Sequence, residues 1–166
     1  MISIQPIDTA RLSLLPLRVE HAEEMAVALA DPALHAFIGG APAARDALRA
    51  RYERLVAGSP DPAVSWCNWV LRLRGEGCLV GTVQATVSDE QAEIAWVLGT
   101  SWQGRGLAKE AAHGLTTWLT ARSIHTVIAH IHPAHRASAA VARAAGLTPT
   151  DHHQDGELRW ELTAPT

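Results

Sequence analysis

Gln103-Gly104-Arg105-Gly106-Leu107-Ala108 joins a strand-like apolar run, Ile94 to Leu98, to a helix-like run, Leu107 to Ala121. A loop with two glycines that opens directly into a helix presents unpaired backbone N–H groups and the positive end of the helix dipole. Phosphate is the usual ligand of such a site, and glycine lets the backbone approach it because there is no Cβ in the way. The stretch therefore predicts a phosphate-binding loop, with an ordinary strand-to-helix turn as the alternative.

Three kinds of phosphate loop can be compared with this stretch. A Walker-type loop needs Gly-x-x-x-x-Gly-Lys-Ser/Thr, but Gly104 and Gly106 are too close together and Lys109-Glu110 lacks the hydroxyl that binds magnesium. A dinucleotide-binding loop needs Gly-x-Gly-x-x-Gly, and Lys109 occupies its third glycine position. The stretch does fit Gln-x-x-Gly-x-Ala, and so resembles the acyl-CoA pyrophosphate loop of the GCN5-related N-acetyltransferases (GNAT).

The resemblance extends over nearly the whole chain in the expected order. The run from Ala92 to Ala111 is similar to the core signature of the RimJ/RimL-like branch of that family, the ribosomal-protein acetyltransferases. Further segments that resemble the branch's strands and helices are 9–14, 69–72, 79–83, 129–138 and 145–147. Matches in order are far more specific than any one of them.

The composition is that of a single domain spanning residues 1–166. A hydrophobic content of 48% allows a proper core, and a formal net charge of −3 gives no reason to expect nucleic acid or an anionic membrane as a partner. No apolar run approaches the ~20 residues of a membrane span, and the N-terminus lacks a basic-then-apolar signal pattern. We therefore predict a cytoplasmic protein.

The two cysteines do not make a disulfide framework. A hairpin around residues 74–77 would place Cys67 near Gln84 and Cys78 near Leu73, which is too far apart for a bond between the sulfurs. We expect both cysteines to be buried thiols.

Hydrophobic periodicity predicts the element order β-α-α-β-β-β-α-β-α-β. Predicted helices cover 19–30, 42–57, 107–121 and 135–145, and predicted strands cover 11–18, 66–74, 78–88, 91–98, 125–132 and 157–162. His152-His153 is predicted to lie in a polar turn. This order indicates a mixed α/β fold, with an antiparallel meander that runs into one parallel crossover. The resemblance implies the GNAT fold: a central mixed, mostly antiparallel sheet with helices on both faces, splayed between the fourth and fifth strands.

The resemblance also places acetyl-CoA, as co-substrate, against the splayed strand and the loop. The backbone of Trp96, Val97 and Leu98 would bond the pantetheine arm and polarise the thioester carbonyl, because N–H groups aimed at a developing oxyanion stabilise it strongly. The alternative is that these are plain core residues. The cofactor-binding residues implied for the loop are Gln103, Gly104, Arg105, Gly106, Leu107 and Ala108. Arg105 is expected to counter the phosphate charge, with a solvated surface arginine as the alternative.

The acceptor amine sets the first catalytic requirement. An ammonium must lose its proton before it attacks a thioester. Glu93 is the candidate base, because it matches a glutamate that is common at this strand position in the family. The alternative is an exposed strand glutamate or a structural ion pair.

The departing thiolate sets the second requirement. Many family members use a tyrosine here, but Ala142 occupies that position and the only tyrosine is Tyr52. Ser138 matches the serine that the RimJ/RimL-like group carries, and its hydroxyl is the candidate partner of the sulfur; a helix-start serine with a local backbone bond is the alternative. His135 stands where the family usually has Asn, and its imidazole can still donate a hydrogen bond to the cofactor.

The histidines raise the question of a metal. His130 and His132 share one face of a strand and His135 follows three residues later, a spacing that zinc sites use. No cysteine or carboxylate lies nearby in the sequence and the family uses no metal, so we predict none. His132, at the end of its strand, is a candidate for binding or deprotonating the substrate.

Together these features predict an acetyl-CoA-dependent N-acetyltransferase that acetylates a primary amine by direct transfer in a ternary complex. The acceptor is a small molecule or a peptide, selected by the first two helices and by the loops at 36–40 and 152–156. A homodimer is a further expectation, since dimers are common in proteins that resemble this one. A catalytically silent acyl-CoA-binding module would keep the loop without acid–base chemistry and is the main alternative. An NAD-binding domain is disfavoured because the third glycine is missing.

Overall fold

The computed structural model describes residues 2–36 and 40–165, which are built around one eight-stranded sheet. Its strands are β1 (Ile7–Asp8), β2 (Leu12–Pro16), β3 (Val64–Leu73), β4 (Cys78–Ser88), β5 (Gln91–Leu98), β6 (Thr126–Ile131), β7 (Thr148–Gln154) and β8 (Glu157–Thr163). Their spatial order is β1-β2-β3-β4-β5-β6-β8-β7. Only β5 and β6 run parallel among these described strands, which confirms the predicted meander and parallel crossover.

Helices cover both faces of the sheet, as the resemblance implies. They are α1 (Ala22–Ala28), α2 (Arg45–Ala57), α3 (Leu107–Thr120) and α4 (Arg136–Ala144), with short 3-10 turns at Val19–His21, Pro32–His35 and Thr100–Trp102. The first two helices pack on one face around Val70, and α3 and α4 pack on the other face in the larger core. None of the helices in the described residues is both long and apolar enough to cross a bilayer.

An apolar stripe packs α3, the helix that follows the loop, against the sheet. Leu107, Ala111, Leu115 and Leu119 recur at helical spacing, and all four are completely buried. Burying one leucine side chain stabilises the fold by about 1.5–3 kcal/mol. The stripe therefore holds the start of α3, and the loop before it, in a fixed position against the sheet.

Several elements differ from the prediction. The predicted helix at 19–30 is divided into a 3-10 turn and α1, and the helix predicted at 42–57 begins only at Arg45, because the N-cap Ala44 has an extended backbone with ψ of 159°. Two strands were not predicted from the hydrophobic periodicity. β1 has only 2 residues, and the polar turn predicted at His152-His153 is part of β7. β7 is an edge strand that is exposed along most of its length, so its sequence carries no alternation.

The β3–β4 hairpin corrects the predicted surroundings of the cysteines. Cys78 lies opposite Leu73 as predicted, but Cys67 lies opposite Ala85 rather than Gln84. The pairing shifts by one residue between Leu71 and Arg72, which is a β-bulge. Both thiols are free, as expected; Cys67 is buried, whereas Cys78 is only partly buried, so the prediction of two buried thiols is wrong for Cys78.

Candidate active site

The fourth and fifth predicted strands, which are β5 and β6, separate partway along their length. Their pairing is limited to Gln91 with Thr126, Ala92 with Val127 and Glu93 with Ile128. β5 remains paired with β4 as far as Leu98, so the later backbone groups on its β6 side have no strand partner in the described chain. The sheet is therefore splayed as predicted, and a gap opens beside residues 96–98.

The opposite edge of β5 is held tightly by β4. Gly81 pairs with Leu98, and a Cβ at Gly81 would collide with the carbonyl oxygen of Val97. Only glycine permits this approach. The backbone groups of Val97 thus face β4, and those of its neighbours Trp96 and Leu98 face the gap.

The loop has the backbone that its glycines predict. Gly104 and Gly106 have φ of +81° and +78°, the left-handed region that favours glycine, and Gly106 is the N-cap of α3. Gln103 Nε2 donates a hydrogen bond of 2.9 Å to the carbonyl of Leu98, which ties the loop to the end of β5. The N–H groups of Leu107 and Ala108 belong to the first turn of α3 and have no partner within the helix. The loop thus offers the donors that an anion needs.

The guanidinium of Arg105 contacts the turn between β3 and β4. Its Nη1 lies 3.1 Å from Oε1 of Glu76, and Trp102 Nε1 donates to Oε2 of the same carboxylate at 3.1 Å. These hydrogen bonds, that of Trp102 first, hold the pKa of Glu76 below its ordinary value. A contact between Arg105 and a phosphate requires its side chain to turn away from Glu76.

Three residues that were not predicted to belong to the site brace the loop. Arg11 Nη1 donates to the carbonyl of Arg105 at 2.8 Å, and Arg11 Nε and N donate to the carboxylate of Glu110 at 2.8 and 2.7 Å. Thr9 Oγ1 also donates to Glu110, at 2.5 Å. Arg11 and Glu110 are 99 residues apart in the sequence, and no periodicity relates them. An acidic residue in the first turn of a helix was the only signal in the sequence.

We expect Glu110→Gln to destabilise the protein at neutral pH by about 1–3 kcal/mol, because it removes a charged hydrogen-bond acceptor that is largely buried. Burial raises the pKa of Glu110, but the hydrogen bonds from Thr9 and Arg11 outweigh it and hold this pKa below its ordinary value. A carboxyl whose pKa is lowered on folding stabilises the fold above its unfolded pKa, and this stability is lost as pH falls through the folded pKa.

The measurement is urea unfolding of both proteins at a series of pH values. The difference in unfolding free energy between the wild type and Glu110→Gln should be largest at neutral pH and should decrease as the pH falls. Glu53→Gln is the control, since the Glu53 side chain is 60% exposed and its pair with Arg49 is 3.7 Å long. A Glu110→Gln variant no less stable than the control at neutral pH would contradict the prediction.

Glu93 lies in the last pair before the gap and contacts His130 on β6. Its Oε1 is 2.6 Å from His130 Nδ1, and the Glu93 side chain is 48% exposed against 14% for His130. The spacing of the histidines suggested His130 only as a metal ligand, and no local pattern predicts this pairing. Glu93 is five residues from Leu98, or about 17 Å along the strand. Its carboxylate remains open to a ligand on the exposed side.

A cavity of about 170 Å³ lies between the sheet and the first two helices. Val97 of β5 lines it together with Thr82 and Gln84 of β4 and Tyr52 of α2. Alternate residues of a strand share a face, so Glu93 lies on the same face of β5 as Val97. Burial raises the pKa of Tyr52 to about 12, so its phenol stays protonated at neutral pH.

Ser138 lies in the first turn of α4, after β6. Its Oγ is 3.4 Å from Nε2 of His135, so its partner is a side chain rather than the local backbone. Burial, and secondarily the proximity of His132, lowers the pKa of His135. The structure thus pairs Ser138 with His135 and Glu93 with His130.

The remaining expectations concern metal and acceptor loops. Within the described parts of the chain, no three or more His, Cys, Asp or Glu side chains are arranged to hold a metal ion. Of the acceptor loops, residues 37–39 lie outside the described residues, and 152–156 form the end of β7 and its turn into β8. The roles predicted for the site residues stay predictions.

Comparison with known proteins gives the family. The model of the acetyltransferase (GNAT) domain matches residues 11–148, which is most of the chain. No curated protein matches the sequence significantly. Among solved structures, a GNAT-family acetyltransferase from Bacillus anthracis is 19% identical, covers 96% of this chain and 98% of its own, and has a TM-score of 0.80.

Two further solved structures are similar in fold to this chain, and both are of ribosomal-protein acetyltransferases. RimL, a ribosomal-protein alpha-N-acetyltransferase solved in complex with coenzyme A, is 15% identical, with 96% of this chain and 98% of its own covered and a TM-score of 0.79. The ribosomal-protein-S5-alanine acetyltransferase of Vibrio fischeri is also 15% identical, with 96% and 97% covered and a TM-score of 0.76. The splayed sheet, the glycine loop and the family match lead to one conclusion: the chain belongs to the GNAT family and is an acetyltransferase that uses acetyl-CoA as its co-substrate.

Proposed function

We propose that the protein transfers the acetyl group of acetyl-CoA directly to a primary amine in a ternary complex, with Glu93 as the base. The observation that carries this proposal is the position of Glu93. It lies in the last residue pair before the β5–β6 gap and on the same face of β5 as the cavity under α1 and α2. A carboxylate at that place can meet an amine from the cavity and a thioester from the gap.

We assign the gap between β5 and β6 to the pantetheine arm, because the backbone groups on that side of β5 have no strand partner in the described chain. The backbone N–H groups of Trp96 and Leu98, which alternate with the groups of Val97 and Gly99 that face β4, are the donors expected to polarise the thioester carbonyl and to stabilise the oxyanion that forms there. The pyrophosphate is assigned to the N–H groups between Gly104 and Ala108, at the positive end of α3. Arg105 supplies a positive charge to the pyrophosphate once its side chain leaves Glu76. His135 donates a further hydrogen bond to the cofactor.

The proton path begins at the acceptor. Glu93 takes one proton from the ammonium, and the neutral nitrogen attacks the thioester carbon. The C–S bond breaks as the tetrahedral intermediate collapses, and the second amine proton passes to the departing sulfur, with the Ser138 hydroxyl as the hydrogen-bonding group. His130 is a positioning residue, since its Nδ1 at 2.6 Å holds the Glu93 carboxylate toward the cleft.

The proposal also covers the acceptor, the cellular compartment and the oligomeric state. The acceptor is a small molecule or a peptide N-terminus, and RimL, similar in fold, is named for action on a protein α-amine. We place the reaction in the cytoplasm, in keeping with two free thiols. A single domain over residues 1–166 and a homodimer belong to the same proposal.

Two measurements test the reaction. Calorimetric titration with acetyl-CoA should give micromolar binding with a stoichiometry of one per chain. Thiol release from acetyl-CoA should then rise on addition of a primary amine, and the acetylated amine should appear by mass spectrometry. Binding without acetylation of any amine in a panel of amino acids, peptides and alkylamines would instead support the catalytically silent module.

A further inference from the structure

The lining and volume of the cavity under α1 and α2 indicate what kind of acceptor can enter it. Its walls are mostly aliphatic, with Trp69 and five leucines as the large apolar side chains: Leu17, Leu29, Leu34, Leu48 and Leu55. A volume of about 170 Å³ accommodates a short hydrocarbon body but not a folded peptide segment. The part of the acceptor that enters this cavity is therefore small and apolar.

The charge of the cavity wall is unusual for an enzyme that binds an ammonium. Among the described residues that line it, the one permanently charged side chain is Arg51. His35 brings no negative charge, and Tyr52 stays protonated because burial raises its pKa to about 12. No carboxylate lines the cavity in the described chain, and residues 37–39 are Phe, Ile and Gly, which bring none. A second ammonium on the acceptor finds no counter-ion here.

Arg51 is available to a ligand. It lies on α2, and it forms no ion pair with any carboxylate within residues 2–36 and 40–165. The neighbouring Arg49, in contrast, pairs with Glu53 at 3.7 Å. An unpaired guanidinium at the edge of an apolar cavity is a binding group for a carboxylate, which it can hold through two parallel hydrogen bonds.

The two charged groups proposed to meet the acceptor lie in different layers of the fold. Arg51 lines the cavity from α2, whereas Glu93 lies on β5 outside the cavity lining, four residues or about 13 Å along the strand from Val97, which does line it. An acceptor that offers its amine to Glu93 and an anionic group to Arg51 must therefore carry them at opposite ends. An α-amino acid, with both groups on one carbon, does not meet this condition.

We infer that the acceptor is a small primary amine whose short apolar body ends in a carboxylate, with Arg51 as the residue that selects it. This inference rests on the proposed function, because it presumes that the cavity is the acceptor site. It excludes polyamines, since a second cation would lie beside Arg51 in a cavity whose other polar lining groups, Asn68, Thr82 and Gln84 among them, carry no negative charge. Hydrophobic burial supplies part of the affinity, and the charge pair decides between acceptors of equal length.

Three amines of one chain length make the test, because they differ only at the far end: hexylamine, hexamethylenediamine and ε-aminohexanoate. We expect kcat/KM for ε-aminohexanoate to exceed that for the diamine by about tenfold or more, with hexylamine between them, which is the scale of one charge-assisted hydrogen bond. Leucine, with its amine and carboxylate on one carbon, should be a poorer acceptor than ε-aminohexanoate.

Charge reversal at Arg51 sharpens the test. In Arg51→Glu the order should reverse in favour of the diamine. Arg49→Glu makes the same charge change two residues away on the same helix, outside the cavity lining, and should keep the wild-type order. Acetyl-CoA affinity, measured in both variants, reports whether they are folded.

The outcomes separate this inference from the proposed function. Acetylation that favours the diamine or leucine in the wild type overturns the inference and leaves the acetyltransferase reaction standing. Equal shifts in the two variants also overturn it, because the effect would then be one of net charge. If none of these amines nor any other primary amine is acetylated, both the inference and the proposed reaction fail.

Discussion

Glu93→Gln should lower kcat/KM for the acceptor amine by about a hundredfold or more at neutral pH, with acetyl-CoA affinity unchanged. Glutamine keeps the size of the side chain and can still contact His130, but it cannot accept a proton. Glu93 lies about 17 Å along β5 from Leu98, to which Gln103 ties the phosphate loop, so the cofactor contacts at that end remain intact. The loss should therefore appear in turnover and not in binding.

The pH dependence distinguishes a base from a structural glutamate. At high pH the amine is already neutral in solution and the need for a base disappears. The deficit of Glu93→Gln should therefore be largest in the acidic-to-neutral range and should narrow as pH rises. A variant whose pH–rate profile parallels that of the wild type would remove Glu93 from the proton path.

His130→Asn tests the positioning role beside it. Asparagine can donate a hydrogen bond to Glu93, although from a shorter side chain, whereas His130→Ala cannot. If His130 only orients Glu93, alanine should lower kcat and asparagine should restore part of it, and the shape of the pH profile should persist in both. Loss of the acidic limb in His130→Ala would instead make the imidazole the proton acceptor.

The parts of the fold that bury a repeating apolar face were predictable from the sequence. β4 and β5 have the predicted bounds, and the stripe of α3 is buried as its spacing requires. Where the pattern had no period, prediction failed for a physical reason. β1 is too short to show one, and β7 is an edge strand with both faces in solvent.

The candidate site divides in the same way. Its local part, the loop at 103–108, could be predicted because glycine and the start of a helix define an anion site within a few residues. Its long-range contacts could not. Glu93 and His130 are separated by 37 residues, and Arg11 and Glu110 by 99 residues, so only the folded chain brings the members of each pair together. The bulge near Arg72 is likewise invisible in the alternation on either side of it.

Gly106→Trp should weaken acetyl-CoA binding by about a hundredfold or more. Gly106 has a φ of +78°, and a Cβ there would lie 3.5 Å from Nη2 of Arg11, so an indole must enter the space in front of α3 or displace the arginine that braces the loop. Either result removes two or more charge-assisted N–H···phosphate bonds, each of which stabilises the complex by about 1.5–3 kcal/mol.

Strain alone must be separated from this loss, because a non-glycine residue at positive φ destabilises the fold wherever it lies. Gly156→Trp is the matched control: Gly156 has a φ of +81°, a Cβ there would have no neighbouring atom within 4 Å, and the residue lies in the β7–β8 turn away from the loop. Both variants should lose similar thermal stability, yet calorimetric titration should show that only Gly106→Trp loses affinity for acetyl-CoA.

Wild-type affinity in Gly106→Trp would mean that residues 103–108 are an ordinary turn and that the pyrophosphate binds elsewhere. Equal loss of affinity in both variants would attribute the effect to unfolding, and Gly106→Ala, which adds one methyl group to the loop, would then have to show a graded loss for the assignment to stand.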